Sequence, residues 1–208
     1  MNNVLVSPSI EKQIINHMQV EKFAAKGLLL LSPRVFPDPR GFFCERYKKS
    51  LFAEAGLSVD FVQDNFSRSA PGVLRGLHYQ WDKPQGKLVT CLSGQIFDVA
   101  VDVRVGSPSF GQVTTVVLSG DKPQWFWIPA GFAHGFYVMG NQHADIFYKC
   151  DAEYSPHAEG GVLWSDPALA IKWPGVHSPS QVFLSPRDEK MSLLSEYKKN
   201  PRFQWSDI

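Results

Sequence analysis

Short apolar runs separated by Gly, Pro, Asp and Asn fill most of the chain after residue 87. Between Phe97 and Val103 every second residue is apolar, and the residues between them include Asp98 and Asp102. This spacing of two is typical of a β-strand that buries one face. Further strands are predicted at residues 88–92, 113–118, 124–128, 135–139 and 145–150. Many short strands with regular turn signals indicate a sandwich or barrel.

The segment before residue 57 predicts strands and one short helix. Residues 27–47 contain two apolar runs around a turn at residues 37–41, which predicts two strands joined by a loop. Residues 50–55 predict a helix with Ser50 as its N-cap and Gly56 at its end.

The first 20 residues form a polar lead-in. Ser7 and Pro8 could start a short helix. That helix would carry three apolar residues on one face: Ile10, Ile14 and Met18. A flexible arm or a contact between subunits is equally compatible with this segment.

No internal repeat, low-complexity stretch or linker divides the sequence. We therefore expect one domain over residues 1–208, which is long enough to bury a sizeable core. Residues 1–21 would be an N-terminal arm, and residues 195–208 a C-terminal tail outside the core pattern.

Composition limits the partners and the cellular compartment. The formal net charge is +1, so neither nucleic acid nor a membrane surface is an expected partner. No apolar stretch reaches the ~18 residues of a transmembrane helix, and the N-terminus does not resemble a secretory signal. The three cysteines are scattered along the chain, which favours reduced thiols in a cytoplasmic protein.

Three cationic or titratable residues lie close together in apolar surroundings. Arg75 and His78 fall within one predicted strand, and Lys87 opens the next. Desolvating these groups is costly, so a fold that needed only a core would place apolar residues there. Any one of them could extend to the surface or pair with a carboxylate. The three together predict a functional site.

Residues 129–134 narrow the fold class. They resemble the second motif of the cupin superfamily, in which the residue that matches His134 is a metal ligand. The earlier strand offers only His78, followed by Tyr79 and Gln80. Metal sites need three or four convergent ligands, and this chain has two plausible ones. We therefore expect a cupin barrel that requires no metal and no other cofactor.

Longer motifs follow one another along most of the chain. They are residues 38–45, 61–65, 73–80, 85–89, 97–104, 107–111, 128–136, 148–150 and 164–167. In sequence and order these motifs resemble the dTDP-4-dehydrorhamnose 3,5-epimerase family. The resemblance covers roughly residues 22–194 and implies a mainly β, cupin-type double-stranded β-helix (jelly-roll) barrel with short peripheral helices.

The resemblance also implies a reaction. The substrate would be dTDP-4-dehydro-6-deoxy-D-glucose, and inversion at C3 and C5 would give dTDP-4-dehydro-L-rhamnose for cell-surface polysaccharides. The C4 carbonyl acidifies the protons on C3 and C5. Removing one proton gives an enolate, and returning a proton to the opposite face inverts the carbon. The enzyme must supply a base, a cation for the enolate oxygen and an acid.

Matching positions assign these roles. His78 suits the base, since imidazole titrates near neutral pH, and Asp188 matches its carboxylate partner. Lys87 suits the enolate stabiliser, and Tyr148 matches the proton donor on the opposite face. Arg75 would hold the keto sugar or the diphosphate. Taken singly, each residue also fits an ordinary structural role.

Other matching positions imply substrate binding. Arg40, Phe43 and Glu45 match residues that the family donates from the neighbouring subunit, which implies a homodimer with exchanged strands. Alternatively, Arg40 caps a turn. We interpret Asp98 and Asp102 as structural residues that bond His134 and a loop backbone. Six further positions line the family's substrate cleft: Gln63, Asn65, His134, Tyr154, Glu159 and Arg187.

Other functions stay open at this point. One is an epimerase that acts at C3 or C5 alone, or on another nucleotide sugar. Another is a non-catalytic sugar-binding cupin, and a third is a metal-dependent cupin oxygenase. Tyr148 favours double inversion, because loss of the second acid would favour a single one.

Overall fold

The structure is a computed structural model that describes residues 6–207 as two antiparallel β-sheets packed face to face. Strands are numbered in chain order. The larger sheet has the order β1 (Glu11–Ile15), β2 (Met18–Lys22), β3 (Leu29–Ser32), β11 (Trp125–Ile128), β8 (Lys87–Ser93), β13 (Ala144–Cys150) and β6 (Gln63–Ser69). The smaller sheet has the order β10 (Val113–Ser119), β9 (Gln95–Asp102), β12 (Phe132–Val138), β7 (Leu74–Gln80) and β14 (Glu159–Gly161).

Short elements surround the two sheets. A separate hairpin consists of β4 (Val35–Asp38) and β5 (Gly41–Cys44). The α-helices are α1 (Lys49–Glu54) and α2 (Leu194–Tyr197). Three short 3-10 helices lie at Pro179–Gln181, Asp188–Lys190 and Trp205–Asp207, on either side of α2. The predicted mainly β barrel with short peripheral helices is confirmed.

Alternation along the strands separates the inner core from two outer clusters. Phe126 and Ile128 of β11 lie in the cluster between the sheets, whereas Trp125 and Trp127 pack outside with Phe52 of α1. The apolar side chains between Phe97 and Val103 form the outer cluster of the smaller sheet, as predicted. The segment after β14 covers that cluster with Trp164, Trp173, Tyr197 and Phe203.

The predicted N-terminal helix is wrong. Residues 11–22 form the β1–β2 hairpin, and its turn at Asn16 and His17 has positive φ angles. Met18 and Val20 are buried, while Ile10 and Ile14 are exposed, so the burial follows a period of two from Met18 onward. Residues 1–5 of the predicted arm lie outside the described residues.

Two smaller corrections concern the next segment. Residues 27–47 form three strands rather than two, because residues 35–44 fold back on themselves as the β4–β5 hairpin. Helix α1 starts at Lys49, and its N-cap is Lys48 without a side-chain cap, so Ser50 lies inside the helix. Gly56 follows the helix with φ near +92°, as its predicted role requires.

The C-terminal tail is fastened to the barrel through Arg104. The Arg104 guanidinium lies 4.4 Å from the Phe132 ring centroid and 4.5 Å from that of Trp205. Its Nε and Nη2 donate hydrogen bonds to Asp102 at 2.9 and 2.7 Å. Asp102 is fully buried and also accepts from Ser107 and Ser109, in keeping with a structural role.

Candidate active site

A cavity of about 300 Å³ opens between the two sheets at one end of the barrel. Strands β6, β8 and β13 supply one wall, and β7 and β14 supply the other. The cavity therefore collects polar side chains from strands that are far apart in sequence. Its lining residues are Gln63, Asn65, His78, Tyr79, Gln80, Gln85, Lys87, Tyr148, Tyr154 and Glu159.

Strand register brings the polar residues together. His78 of β7 lies opposite His134 of β12, and β7 continues into the cavity wall with Tyr79 and Gln80. Gly76 permits this close approach, since a Cβ atom there would lie 2.6 Å from the carbonyl oxygen of His134. The φ angle of Gly76 is +110°, which side-chain-bearing residues rarely adopt.

His78 forms a dyad with Asp188. Its Nε2 lies 2.5 Å from the Asp188 Oδ1 atom, although 110 positions separate the two residues. Burial raises the pKa of Asp188, but hydrogen bonding to His78 and its charge outweigh this effect and hold the pKa below its ordinary value. The carboxylate is therefore ionised at neutral pH and can stabilise a protonated imidazole.

Lys87 lies in the cavity without a carboxylate partner. No ion pair or hydrogen bond of its Nζ atom is found among the residues that the structure describes. Burial lowers the pKa of Lys87, and the charges of Cys150, Glu159 and Asp98 only partly oppose this effect. An unpaired ammonium in such a place is suited to an oxyanion that forms during a reaction.

Tyr148 faces the cavity from β13. Burial raises the pKa of its phenol, so the hydroxyl is protonated at neutral pH. The positive charge of Arg75 acts in the opposite direction and favours the phenolate. Arg75 itself is exposed, and its Nε donates to Ser69 Oγ at 3.0 Å. A phenol beside a guanidinium can give up a proton and take it back.

The rim of the cavity is a hydrogen-bonded group of side chains. Glu159 accepts from the Tyr154 hydroxyl at 2.9 Å and pairs with Arg187. Gln63 accepts from the Tyr154 amide at 2.8 Å and donates to Asn65 at 3.0 Å. These contacts fix polar groups at the mouth, where a polar ligand would enter.

His134 is held in place by a buried carboxylate, Asp98. Its Nε2 lies 2.9 Å from Asp98 Oδ1, and the Asp98 side chain is fully buried. The other oxygen of Asp98 has no hydrogen-bond partner among the described residues. The predicted contact between Asp98 and His134 is therefore present.

Between residues 6 and 207 no group of three or more His, Cys, Asp or Glu side chains is arranged to hold a metal ion. Among the helices of the same residues, none has the length and apolar character that crossing a membrane requires.

A comparison with protein families assigns the chain. The sequence profile described as dTDP-4-dehydrorhamnose 3,5-epimerase matches residues 22–196, well over half of the sequence. The chain belongs to the dTDP-4-dehydrorhamnose 3,5-epimerase family. The family predicted from the sequence motifs is therefore confirmed, and with it the expected class of enzyme, an isomerase.

Relatives of this epimerase family agree in sequence and structure. The dTDP-4-dehydrorhamnose 3,5-epimerase of Pseudomonas aeruginosa is 49% identical over 180 residues, which are 86% of this chain and 97% of the relative. A solved dTDP-6-deoxy-D-glucose-3,5-epimerase of Legionella pneumophila, in complex with dTDP-4-keto-L-rhamnose, has a TM-score of 0.81 and 49% identity. The alignment covers 86% of this chain and 94% of that one.

A third similar protein is NovW, a 4-keto-6-deoxy sugar epimerase from the novobiocin biosynthetic gene cluster of Streptomyces spheroides. Its TM-score is 0.84 at 34% identity, and the alignment covers 97% of this chain and 98% of that one. These likenesses confirm the predicted cupin-type barrel of the epimerase family.

Three predicted binding residues lie on or directly after the β4–β5 hairpin, away from the cavity of this epimerase-family chain. Arg75, His134 and Arg187 are not among the cavity-lining residues either. Arg40 and Phe43 are exposed on the β4–β5 hairpin, and the Arg40 guanidinium pairs with Asp38 at 2.7 Å. Glu45 follows the hairpin and lies 3.9 Å from Lys48. Their roles require a second subunit and stay predictions, while the Asp38 contact fits the alternative of a turn cap.

Sequence reasoning missed three lining residues, Tyr79, Gln80 and Gln85, and the buried Cys150 opposite Lys87. Gln80 is buried and donates to two backbone carbonyls, one of which belongs to Glu153 next to Tyr154. Cys150 is buried opposite Lys87 in the register of β13 and β8. The alternation that places Tyr148 in the cavity also places Cys150 on the same face, so the signal was present in the sequence.

Proposed function

We propose that this protein inverts C3 and C5 of dTDP-4-dehydro-6-deoxy-D-glucose and so forms dTDP-4-dehydro-L-rhamnose. The observation that carries the proposal is one cavity lined by His78, the Tyr148 phenol and the unpaired Lys87 ammonium, with Asp188 bonded to His78. These are the base, acid and cation that two enolisations beside a C4 carbonyl require. Membership of the family supports the choice of substrate.

In the proposed mechanism His78 removes the proton. Asp188 accepts the Nε2–H of the imidazole, so the lone pair on Nδ1 is free to act as the base. The imidazolium that forms keeps the Asp188 carboxylate as its counter-ion. Once the imidazolium has released its proton to solvent, the same group serves the other carbon, because C3 and C5 flank the same carbonyl.

Lys87 and Tyr148 complete each inversion. The Lys87 ammonium stabilises negative charge on the C4 oxygen when the enolate forms. Tyr148 then delivers a proton to the face of the carbon opposite His78. The nearby charge of Arg75 stabilises the transient phenolate until solvent restores its proton.

The remaining polar residues suit recognition of the sugar and its diphosphate. Gln63 and Asn65 present amides to the cavity, and His134 lies beside His78 on the neighbouring strand. Arg187 is held at the rim by Glu159 and offers a guanidinium to an anion that enters there.

Proton NMR of the purified protein with dTDP-4-dehydro-6-deoxy-D-glucose in deuterated water tests the proposal. Deuterium is expected at both C3 and C5, since each inversion exchanges a carbon-bound proton with solvent. Exchange at one carbon alone would identify a single-centre epimerase. No exchange with this substrate would contradict the proposal and favour another nucleotide sugar or a non-catalytic sugar-binding protein.

We further propose a homodimer in which the β4–β5 hairpin of each subunit completes the cavity of the other. Four large apolar side chains of this hairpin are exposed, which is unusual for a surface without a partner. They are Val35, Phe36, Phe42 and Phe43, and the Phe43 side chain is 67% exposed.

Mixing two inactive variants is expected to restore activity if the hairpin acts in trans. In a mixed dimer of His78→Asn and Phe43→Ala subunits, one site carries both defects and the other carries neither. Reassociated mixtures should therefore recover up to roughly a quarter of the wild-type sites.

Mixing His78→Asn with Asp188→Asn is the control. The dyad forms within one chain, so each site of this mixed dimer carries one defect and no recovery is expected. Recovery in neither mixture would contradict the exchanged arrangement.

A further inference from the structure

Cys150 is the residue that lies directly opposite Lys87. The two residues pair in the register of β13 and β8, and directly opposed residues have Cβ atoms about 4.5–5.5 Å apart. Cys150 is fully buried, and its charged form would interact with the Lys87 ammonium more strongly than any carboxylate nearby. The side chain at position 150 therefore decides what the ammonium meets on its own wall of the cavity.

A hydrogen-bonded row fixes the Cys150 thiol. Asn65 Nδ2 donates to Cys150 Sγ at 3.5 Å, and Asn65 Oδ1 accepts from Gln63 Nε2 at 3.0 Å. The row continues to the Tyr154 amide, which donates to Gln63 at 2.8 Å. The thiol is thus part of an ordered wall that ends beside Lys87.

The carboxylates near Lys87 are engaged elsewhere. Asp98 bonds His134 at 2.9 Å, and Glu159 is bonded by Tyr154 and Arg187. Neither carboxylate comes within 4.0 Å of the Lys87 ammonium. With a neutral side chain at position 150, Lys87 therefore has no paired carboxylate among the described residues.

We propose that Cys150 is a positioning residue that leaves the Lys87 ammonium uncompensated, so that its charge is available to the enolate oxygen. This role rests on the proposed epimerase function. Burial raises the pKa of the Cys150 thiol to about 11, so the group is neutral at physiological pH. A carboxylate at the same place would pair with Lys87 and compete with the developing oxyanion.

Substituting Cys150 with aspartate and asparagine separates charge from shape. Cys150→Asp should lower kcat about 100-fold with a smaller change in KM, because the loss falls on enolate stabilisation. Cys150→Asn has the same shape without the charge and should lose much less, and Cys150→Ser should stay within about threefold of wild type. Cys91→Ser is the matched control, because Cys91 is a buried thiol of the same barrel that pairs with Ile146 rather than with Lys87.

The pH dependence of kcat distinguishes an effect on the Lys87 charge from a purely structural role of Cys150. The groups whose charges act on Lys87 are Cys150, Glu159, Asp98 and Arg187. In the wild type the alkaline loss of kcat should begin below the ordinary range of lysine, because burial lowers the pKa of Lys87. In Cys150→Asp it should move to higher pH, since the new carboxylate favours the ammonium.

A thermal comparison tests the contact without any activity. With Lys87 present, Cys150→Asp should melt near Cys150→Asn, whereas in a Lys87→Met background the aspartate protein should melt well below the asparagine protein. This thermal result would show the contact between positions 150 and 87 even if the wild type failed to exchange deuterium. A failure to exchange would contradict only the proposed epimerase function.

Equal kcat for the aspartate and asparagine variants would overturn the proposal. So would a Cys150→Asp protein that does not fold while Cys150→Asn does, since a free Lys87 should accommodate the carboxylate.

Discussion

Replacing His78 with asparagine is expected to lower deuterium uptake at both C3 and C5 by about 10²–10⁴-fold, the usual contribution of a general base. Asparagine retains a polar side chain that can contact Asp188 but cannot accept a proton at neutral pH. Both carbons should be affected together, because His78 is the only imidazole among the described cavity-lining residues. The measurement is the initial rate of exchange at each carbon by proton NMR in deuterated water.

His143→Asn provides the control for this experiment. His143 is an exposed histidine outside the cavity, so the same substitution there should leave both exchange rates unchanged. Asp188→Asn should show a large loss of its own, since the imidazolium would lose its counter-ion. Normal exchange in folded His78→Asn protein would exclude His78 as the base.

Tyr148→Phe should separate proton removal from inversion. The variant keeps the ring that packs against the inner core but lacks the hydroxyl that would protonate the opposite face. Proton exchange on the His78 face should continue, because the base and Lys87 are intact. The formation of inverted product should fall by about 10²-fold or more relative to exchange, since the general acid is gone. Comparing deuterium uptake with product formation in one NMR time course gives both rates.

Tyr137→Phe is the matched substitution outside the site. Tyr137 packs in the outer cluster of the smaller sheet, and burial raises the pKa of its phenol as it does for Tyr148. Its loss of a hydroxyl should leave both rates unchanged. If Tyr148→Phe lowered exchange and inversion by the same factor, Tyr148 would act before the enolate forms and would not be the opposite-face acid.

Short apolar runs between turn residues were sufficient to predict the strands from Lys87 to Cys150. Each of these strands contributes apolar residues to the core between the sheets. Alternation of apolar and polar residues assigned Phe97 and Asp98 to opposite faces correctly. The prediction of a helix in the N-terminal segment was wrong, because apolar residues at positions 10, 14 and 18 fit a helical spacing by chance. The conformation of this segment depends on the pairing of β2 with β3, which cannot be predicted from the local sequence pattern.

The residues of the candidate site could be predicted only in part from local sequence patterns. His78 and Lys87 were predicted from the cost of placing charge in apolar strands, but Asp188 lies in a polar segment and gave no such signal. Its position beside His78 depends on how the chain after β14 returns to the barrel. The motifs of the family supplied that pairing, and no local pattern could have done so. Cys150 was overlooked because a buried cysteine reads as an ordinary core residue.

The distance along the chain between His78 and Asp188 has a consequence for biosynthesis. Ribosomes add about 5–20 residues per second, so Asp188 emerges on the order of 10 s after His78. All the strands of the barrel precede Asp188 in the sequence and can pair before the segment that carries it arrives. A nascent or C-terminally truncated chain would then hold a nearly complete barrel whose imidazole still lacks its counter-ion. Catalytic competence is therefore acquired at the end of synthesis, and a protease that removes the C-terminal segment would silence the enzyme while sparing its sheets.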